Sequence, residues 1–460
     1  MPQPSSDPIP SITPPQPFTI RFDPKDVEEL KSRLSNPRLP DQDFLPALDA
    51  KQRSNYHQAR PGLEWIKKAI PKWRELDFEA FSEKLNRFPH FTTSVDWCER
   101  LHFVHRPSSR SDAIPLILIH GWPGSWYEFE HIIQPLAEPE DPSLPAFHVV
   151  VPSLPGFLFS SPPPNKDPGV GDFVGYSRIL NALMRGLGYD RYASSAGDWG
   201  SPHARCLGAN HYSEKDGTGC RAVHLNFCPV SPSGVTKLLR NVLPYTVLEG
   251  LAKWVYDKEH VQMIQKAQIY EDQMAYYIVQ KLRPVQLSYG LVDSPVGILG
   301  WLGYFYDILT EFKPGHPTLN LDSALETITL FHMTKSIGTS FLPYTVNPYL
   351  PDIHASAEMR LKVPLAYSDF PEEIVNVPLD YVQKTVHGKV RWMAKSNKGG
   401  HFAALEEPKI YINHLRNAFS KGGKIKSDDA KHFQGVRQVC LEGGVWDEVR
   451  KEQERAGGKL

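Results

Sequence analysis

The stretch Ser195-Ala196-Gly197-Asp198-Trp199-Gly200-Ser201 follows a short apolar strand pattern, Tyr192 to Ala196, and precedes a predicted helix. Small residues at 196, 197 and 200 permit a sharp strand-to-helix turn, which lifts the central side chain above a sheet and beside a helix N-terminus. That is the shape of a nucleophile elbow, and here its tip is an aspartate. A carboxylate is a poor reagent for cleaving ordinary esters, but it can displace a leaving group at a saturated carbon and form an alkyl ester of the protein. Taken alone, an aspartate after glycine is more often a helix N-cap. The surroundings must therefore decide.

Working outward, further apolar runs alternate with turns and helices: Pro115 to Ile119, His148 to Val151 and Ala222 to Leu225, then, after a gap, Val363 to Tyr367 and Val390 to Ala394. Buried runs alternating with helices predict an α/β fold with a mostly parallel central sheet. The gap carries tyrosine-, tryptophan- and leucine-rich helical patterns without a clear strand. We read residues 231–350 as a helical lid inserted between a first core part, 111–230, and a second, 351–422. A final helix is predicted over Pro408 to Phe419. Ahead of the core lies an N-terminal extension, 18–110. Asp23-Pro24 starts an amphipathic helix with Val27, Leu30 and Leu34 on one face. A second helical region runs from Gly62 to Phe88, and Phe91 to His105 reads as a hairpin. Residues 1–17, rich in proline and serine, are expected to be a mobile tail. Residues 423–460 form a charged C-terminal tail with one weak helical patch ending in Gln438-Val439-Cys440-Leu441.

Two further pieces change the weight of Asp198. His120-Gly121-Trp122-Pro123-Gly124-Ser125 directly follows the strand that ends at Ile119, and this loop suits an oxyanion hole built from the backbone N–H groups of Trp122 and Trp199. His120 itself reads as structural. Gly399-Gly400-His401-Phe402-Ala403-Ala404 then places a histidine after the last predicted strand, where a general base belongs. Its acid partner should follow the preceding strand, where Asp369, Glu372 and Glu373 all stand; chemistry alone does not choose among them. The order nucleophile, acid, histidine is satisfied.

Composition narrows the partner. Fifty-one basic and 52 acidic side chains leave a formal net charge of -1 over 460 residues, so no global field draws nucleic acid or an anionic membrane. A small, weakly charged molecule fits better. Five scattered cysteines without a C-x-x-C pair argue against a disulfide framework or a zinc site and favour a reducing, cytoplasmic setting. No apolar run is long enough to span a bilayer, and the first residues lack the features of a signal peptide.

The residues quoted above resemble those of the microsomal-type epoxide hydrolases, in particular their soluble fungal members, from Phe18 to about Phe419. The resemblance rests on the N-terminal extension, the His-Gly-Trp-Pro loop, the Gly-Asp-Trp-Gly-Ser elbow, Asp293-Ser-Pro-Val-Gly297 and the Gly-Gly-His-Phe-Ala-Ala-Leu-Glu loop. It implies an α/β-hydrolase fold, epoxide hydrolysis without metal or organic cofactor, and a small apolar epoxide plus water as partners; a homodimer is compatible with it. It also implies that the acid follows Phe370-Pro371-x, which selects Glu373 and keeps Asp369 in reserve. Two lid tyrosines of the family correspond to Tyr276, ahead of Arg283-Pro284, and Tyr344, in Thr339-Ser-Phe-Leu-Pro-Tyr344. Tyr277 is the rival of Tyr276, and most other lid tyrosines are expected simply to pack. Departures are two: Ala196 replaces the more usual glycine, and the membrane anchor of animal members is lacking. A haloalkane-type dehalogenase also uses an aspartate elbow, and a non-catalytic binding protein can keep the fold. Paired tyrosines favour the epoxide, because an alkoxide gains from acid donors and a halide does not.

Overall fold

The structure is a computed structural model that describes residues 11–43, 61–95, 98–163, 171–229, 274–312, 316–348, 350–356, 359–377, 379–386, 390–420 and 438–440, with Val247, Gly250 and Val261 singly. Ten strands form one sheet: β1 (Gln16–Phe18), β2 (His90–Val95), β3 (Cys98–Arg106), β4 (Ile114–Ile119), β5 (Phe147–Pro152), β6 (Arg191–Ala196), β7 (Gly219–Leu225), β8 (Leu365–Asp369), β9 (Val390–Lys395) and β10 (Gln438–Cys440). Their spatial order is β1-β2-β3-β5-β4-β6-β7-β8-β9-β10. The six strands from β5 to β9 pair in parallel, as the buried apolar runs predict. The edges are antiparallel.

Chain order reverses between β4 and β6, which are neighbours although β5 lies between them in sequence. At such a switch point the connections leave in opposite directions and open a crevice outside the carboxyl ends of the strands. The loop after β4 and the elbow after β6 both stand there. Close packing fixes their composition. A Cβ on Gly200 would lie 2.3 Å from the Ile119 carbonyl oxygen, and one on Gly121 would lie 2.2 Å from Asp198 Oδ1. Neither position tolerates a side chain.

Three expectations need correction. The tail expected over residues 1–17 is paired from residue 12 onward, with Ile12 bridging Val95 and β1 lying antiparallel on β2. Pro17 is compatible with this because an edge strand needs N–H donors on one side only; residues 1–10 lie outside the described residues. The single helical region from Gly62 to Phe88 is two helices, Leu63–Arg74 and Phe78–Asn86, because the Asp77 side chain caps the second by accepting from the N–H groups of Glu79 and Ala80. The weak helical patch ending in Gln438-Val439-Cys440 is a strand there, with β10 hydrogen-bonded to β9. An unpaired sheet edge favours the ladder over an isolated helical turn.

Described helices within residues 231–350, the segment expected to be a lid and so labelled below, include Ala275–Leu282, Pro284–Asp293, Pro295–Phe312 and Leu321–Met333. Most of 231–273 lies outside the described residues. The N-terminal extension holds the lid. Trp73 Nε1 donates to Thr329 Oγ1 at 2.7 Å with both groups buried, and Lys84 Nζ binds Glu326 at 2.7 Å while Tyr127 Oη donates to the same carboxylate at 2.8 Å. Glu326 thus ties extension, core and lid together. Among the described residues no helix is long and apolar enough to cross a membrane, and Cys98, Cys206, Cys220 and Cys228 are buried without a disulfide.

Trp73→Ala should cost about 3–5 kcal/mol, the usual range for removing a fully buried tryptophan, and should loosen the lid from the extension. Denaturant unfolding measures it. A loss below about 1 kcal/mol would show that this contact is not what holds the lid.

Candidate active site

The backbone of the elbow places its aspartate. Asp198 has φ 41°, the left-handed conformation that a nucleophile elbow imposes, and aspartate is among the few residues that visit it without prohibitive strain. Gly197 permits the turn, since a Cβ there would lie 2.8 Å from the Asn226 side chain. Ala196, where glycine was the more usual choice, sits buried within β6 and fits. Below the turn a polar chain braces the strand: Ser195 Oγ lies 2.9 Å from both His224 Nδ1 and Tyr411 Oη, and His224 Nε2 meets Ser368 Oγ at 2.8 Å.

Around Asp198 the loops converge. Its Oδ1 accepts a hydrogen bond from the Trp122 backbone N–H at 2.7 Å. Its Oδ2 lies 3.4 Å from His401 Nε2. The other ring nitrogen, Nδ1, is 2.6 Å from Glu373 Oε1, and that oxygen also accepts the Ile374 N–H at 2.7 Å. Of the three carboxylates left open by the sequence, only Glu373 reaches the histidine. Asp369 is occupied elsewhere, accepting from Asn376 Nδ2 at 2.7 Å and facing Lys395 at 3.7 Å; Glu372 is exposed and pairs through its backbone with the histidine loop. The small residues of that loop have a reason. A Cβ on Gly400 would lie 2.8 Å from the Glu372 carbonyl oxygen, and Gly399 has φ 89°. His120, read as structural, hydrogen-bonds through both ring nitrogens to backbone, at Gly121 O and Leu154 N.

Electrostatics set the resting protonation. Burial disfavours the His401 imidazolium, but the Glu373 charge and hydrogen bonds to both carboxylates outweigh it and raise its pKa well above the ordinary value. The two carboxylates therefore favour the protonated ring over the neutral one.

The lid closes over this pair with aromatic rings. Tyr276 stacks on Trp122 (centroids 5.8 Å, 15° between planes), while Tyr344 meets Trp122 edge-on at 5.6 Å and Trp199 at 5.1 Å. Tyr276 and Tyr344 share a hydrogen bond, and burial followed by the Asp198 charge raises the pKa of Tyr276 well above 10. Tyr277 differs: its hydroxyl donates to the Pro348 carbonyl at 3.5 Å, and its ring stacks on Trp199. Trp199, directly after Asp198, is buried at the start of helix Gly200–Asn210. Among the described residues no group of three or more His, Cys, Asp or Glu side chains is placed to hold a metal ion.

One residue of the site was missed by the sequence reading. Glu128 lines the same cavity as Asp198 and His401. Its position in Ser125-Trp-Tyr-Glu128 reads locally as a capping box and gives no sign of the cavity.

Residues 15–129 match the family described as epoxide hydrolase N terminus, and residues 114–270 match the alpha/beta hydrolase fold family. A Stigmatella aurantiaca protein carrying the epoxide hydrolase name is 30% identical over 417 residues, 88% of this chain and 84% of that one. Epoxide hydrolase 1 of Sus scrofa is 29% identical over 87% of each chain. Among solved structures, the Aspergillus niger epoxide hydrolase has TM-score 0.71 at 29% identity, covering 88% of this chain and 95% of that one. The juvenile hormone epoxide hydrolase of Bombyx mori, at 24% identity and TM-score 0.72, over 88% of this chain and 93% of that one, shares the fold. With an aspartate, a histidine and a glutamate brought into line from the carboxyl ends of three parallel strands, the chain belongs to the epoxide hydrolase family of α/β-hydrolase-fold enzymes.

Proposed function

We propose that the protein converts an apolar epoxide and water to a vicinal diol through a covalent ester of Asp198. The observation that carries this reading is the line Asp198–His401–Glu373 beneath a hydrogen-bonded pair of tyrosines. Asp198 Oδ2 attacks one epoxide carbon from the back, while Tyr276 and Tyr344 donate to the departing oxygen. The C–O bond of the ring breaks, and a hydroxyalkyl ester remains.

That step also prepares the base. Esterification removes the Asp198 charge, which is among the causes holding the proton on His401. The imidazolium proton makes good the proton taken up by the ring-opened oxygen, so the step ends with neutral histidine and a neutral ester. His401, oriented by Glu373, then takes a proton from water as the hydroxide adds to the ester carbonyl. The Trp122 N–H and that of Trp199 are the donors we assign to the oxyanion. Collapse releases the diol and restores Asp198 carboxylate and His401 imidazolium. No metal or organic cofactor enters the scheme.

The tyrosines distinguish this chemistry from dehalogenation. Changing both Tyr276 and Tyr344 to phenylalanine should abolish epoxide opening, with each single change leaving measurable turnover because one donor partly replaces the other. Turnover of a panel of epoxides and haloalkanes reads this directly. Full activity in the double variant, or turnover of the haloalkanes alone, would contradict the reading.

Titration supplies a second test. Because the folded-state pKa of His401 lies above its unfolded value, the stabilisation from its proton is complete below about pH 6.5 and is lost as pH rises through the folded value. Glu373→Gln should therefore lower the His401 pKa seen by imidazole NMR, whereas Asp369→Asn should leave it near the wild-type value. The wild type's stability advantage over His401→Gln should likewise shrink as pH is raised. A pKa that moves with Asp369 and not with Glu373 would overturn the assignment of the acid.

A further inference from the structure

The space between Asp198 and His401 does not end at those residues. It continues into a cavity of water-molecule size lined by Glu128, Asn226, Gly121 and Gly197. The carboxyl of Glu128 lies over Gly124, in space that a Cβ at 124 would share with its Oε2. Asn226 is anchored opposite: its backbone N–H donates to the Ala196 carbonyl and its Oδ1 accepts from Tyr411 Oη.

Resting on the ester mechanism above, we propose that Glu128 is the second anchor of the hydrolytic water. His401 Nε2 accepts one hydrogen of that water, a Glu128 carboxyl oxygen accepts the other, and the water's lone pair is left facing the carbonyl carbon of the Asp198 ester. A water held by a single acceptor can rotate its lone pair away; two acceptors fix it. Glu128 neither gains nor loses a proton in this step. The hydroxide adds to the ester carbon and its proton goes to His401.

The electrostatics of Glu128 suit that task. Burial first, then the Asp198 charge, push its pKa up to about 8, against the opposing influence of His401. Burial thus favours the uncharged acid, whose carbonyl oxygen still accepts a hydrogen bond. The other ionisable groups that sense it are Tyr306 of the lid and Tyr411 of the final helix, both phenols held neutral by burial. A purely structural role is also visible, since the Ser125 N–H bonds back to the Glu128 carboxyl at the start of the turn Trp126–Phe129. The two roles predict different kinetics. Loss of a cap lowers stability and disturbs both chemical steps together; loss of the water's anchor slows ester hydrolysis alone.

The experiment is single-turnover kinetics that resolve ester formation from ester hydrolysis, with the intermediate followed by mass on the peptide bearing Asp198. Glu128→Met, which keeps bulk and removes the acceptor, should slow hydrolysis at least tenfold and leave formation within about twofold. Glu128→Gln keeps both an acceptor oxygen and the cap, and should restore hydrolysis to within a few-fold of wild type. Equal slowing of both steps in Glu128→Met with a lowered Tm would reduce Glu128 to a cap and overturn the proposal. So would unchanged hydrolysis, or a Gln variant as slow as Met. His401→Gln serves as the control: if it accumulates no adduct, the ester mechanism fails first; if it does accumulate one and Glu128→Met hydrolyses normally, only the water anchor fails.

Discussion

One buried imidazole stands between two carboxylates, 2.6 Å from Glu373 and 3.4 Å from Asp198. Taken out of water, neither charge is stable alone, and a lone buried imidazole would lose its proton. Together they hold the His401 proton against burial. The arrangement is poised because its two halves are unequal. Glu373 is fixed by the Ile374 N–H and remains charged throughout the proposed cycle, whereas Asp198 gives up its charge when it is alkylated. In the proposed cycle a bond-forming event at one end thus releases the proton held at the other, and the histidine is a base only when there is an ester to hydrolyse.

The rest of the molecule serves to bring three loops from distant parts of the chain to that point. The β4–β6 switch opens the crevice, and glycines at 121, 197, 200 and 400 let backbones approach where any Cβ would collide. Strain at Asp198, at φ 41°, is tolerated because β6 beneath it is pinned by Ser195, His224 and Tyr411. Over the top, Trp122 carries both tyrosines on its ring while its backbone N–H holds Asp198, so one residue links both tyrosines to that carboxylate. The N-terminal extension matters through the same lid, which it grips at Thr329 and Glu326.

How much of this was legible from residues depended on the range of the interaction. Parallel strands, the final helix over Pro408–Phe419 and the cap at Asp23 follow from local pattern; the helix and the cap are where the sequence puts them, while β8 runs over Leu365–Asp369 instead of Val363–Tyr367 and β7 begins at Gly219 instead of Ala222. Asp198, Trp122 and His401 could be picked out because turn sterics demand small neighbours, which leave a local mark. The choice of Glu373 over Asp369 needed a family resemblance; the geometry behind it, a chain turning after β8 so that residue 373 and not 369 faces the histidine, involves two loops far apart in sequence. The pairing of residues 12–18 and of Gln438–Cys440 went unseen because edge strands borrow their stability from a partner. Glu128 went unseen for a different reason: the pattern Ser125-x-x-Glu128 suggests a local turn-capping acid, and only the fold reveals that the same residue lines the cavity.

The account stands or falls on Asp198 being a nucleophile. An aspartyl ester is cleaved at its carbonyl carbon, so the oxygen that enters the diol comes from Asp198 itself and the water's oxygen replaces it. The direct measurement is a single turnover in heavy-oxygen water with enzyme in excess, followed by mass analysis of both the diol and the peptide bearing Asp198. The account predicts a largely unlabelled first diol with the label on Asp198, and labelled diol from a second turnover. Label in the first diol with none on Asp198 would mean that water activated by His401 opens the ring directly, and Asp198 would only orient His401 and balance its charge.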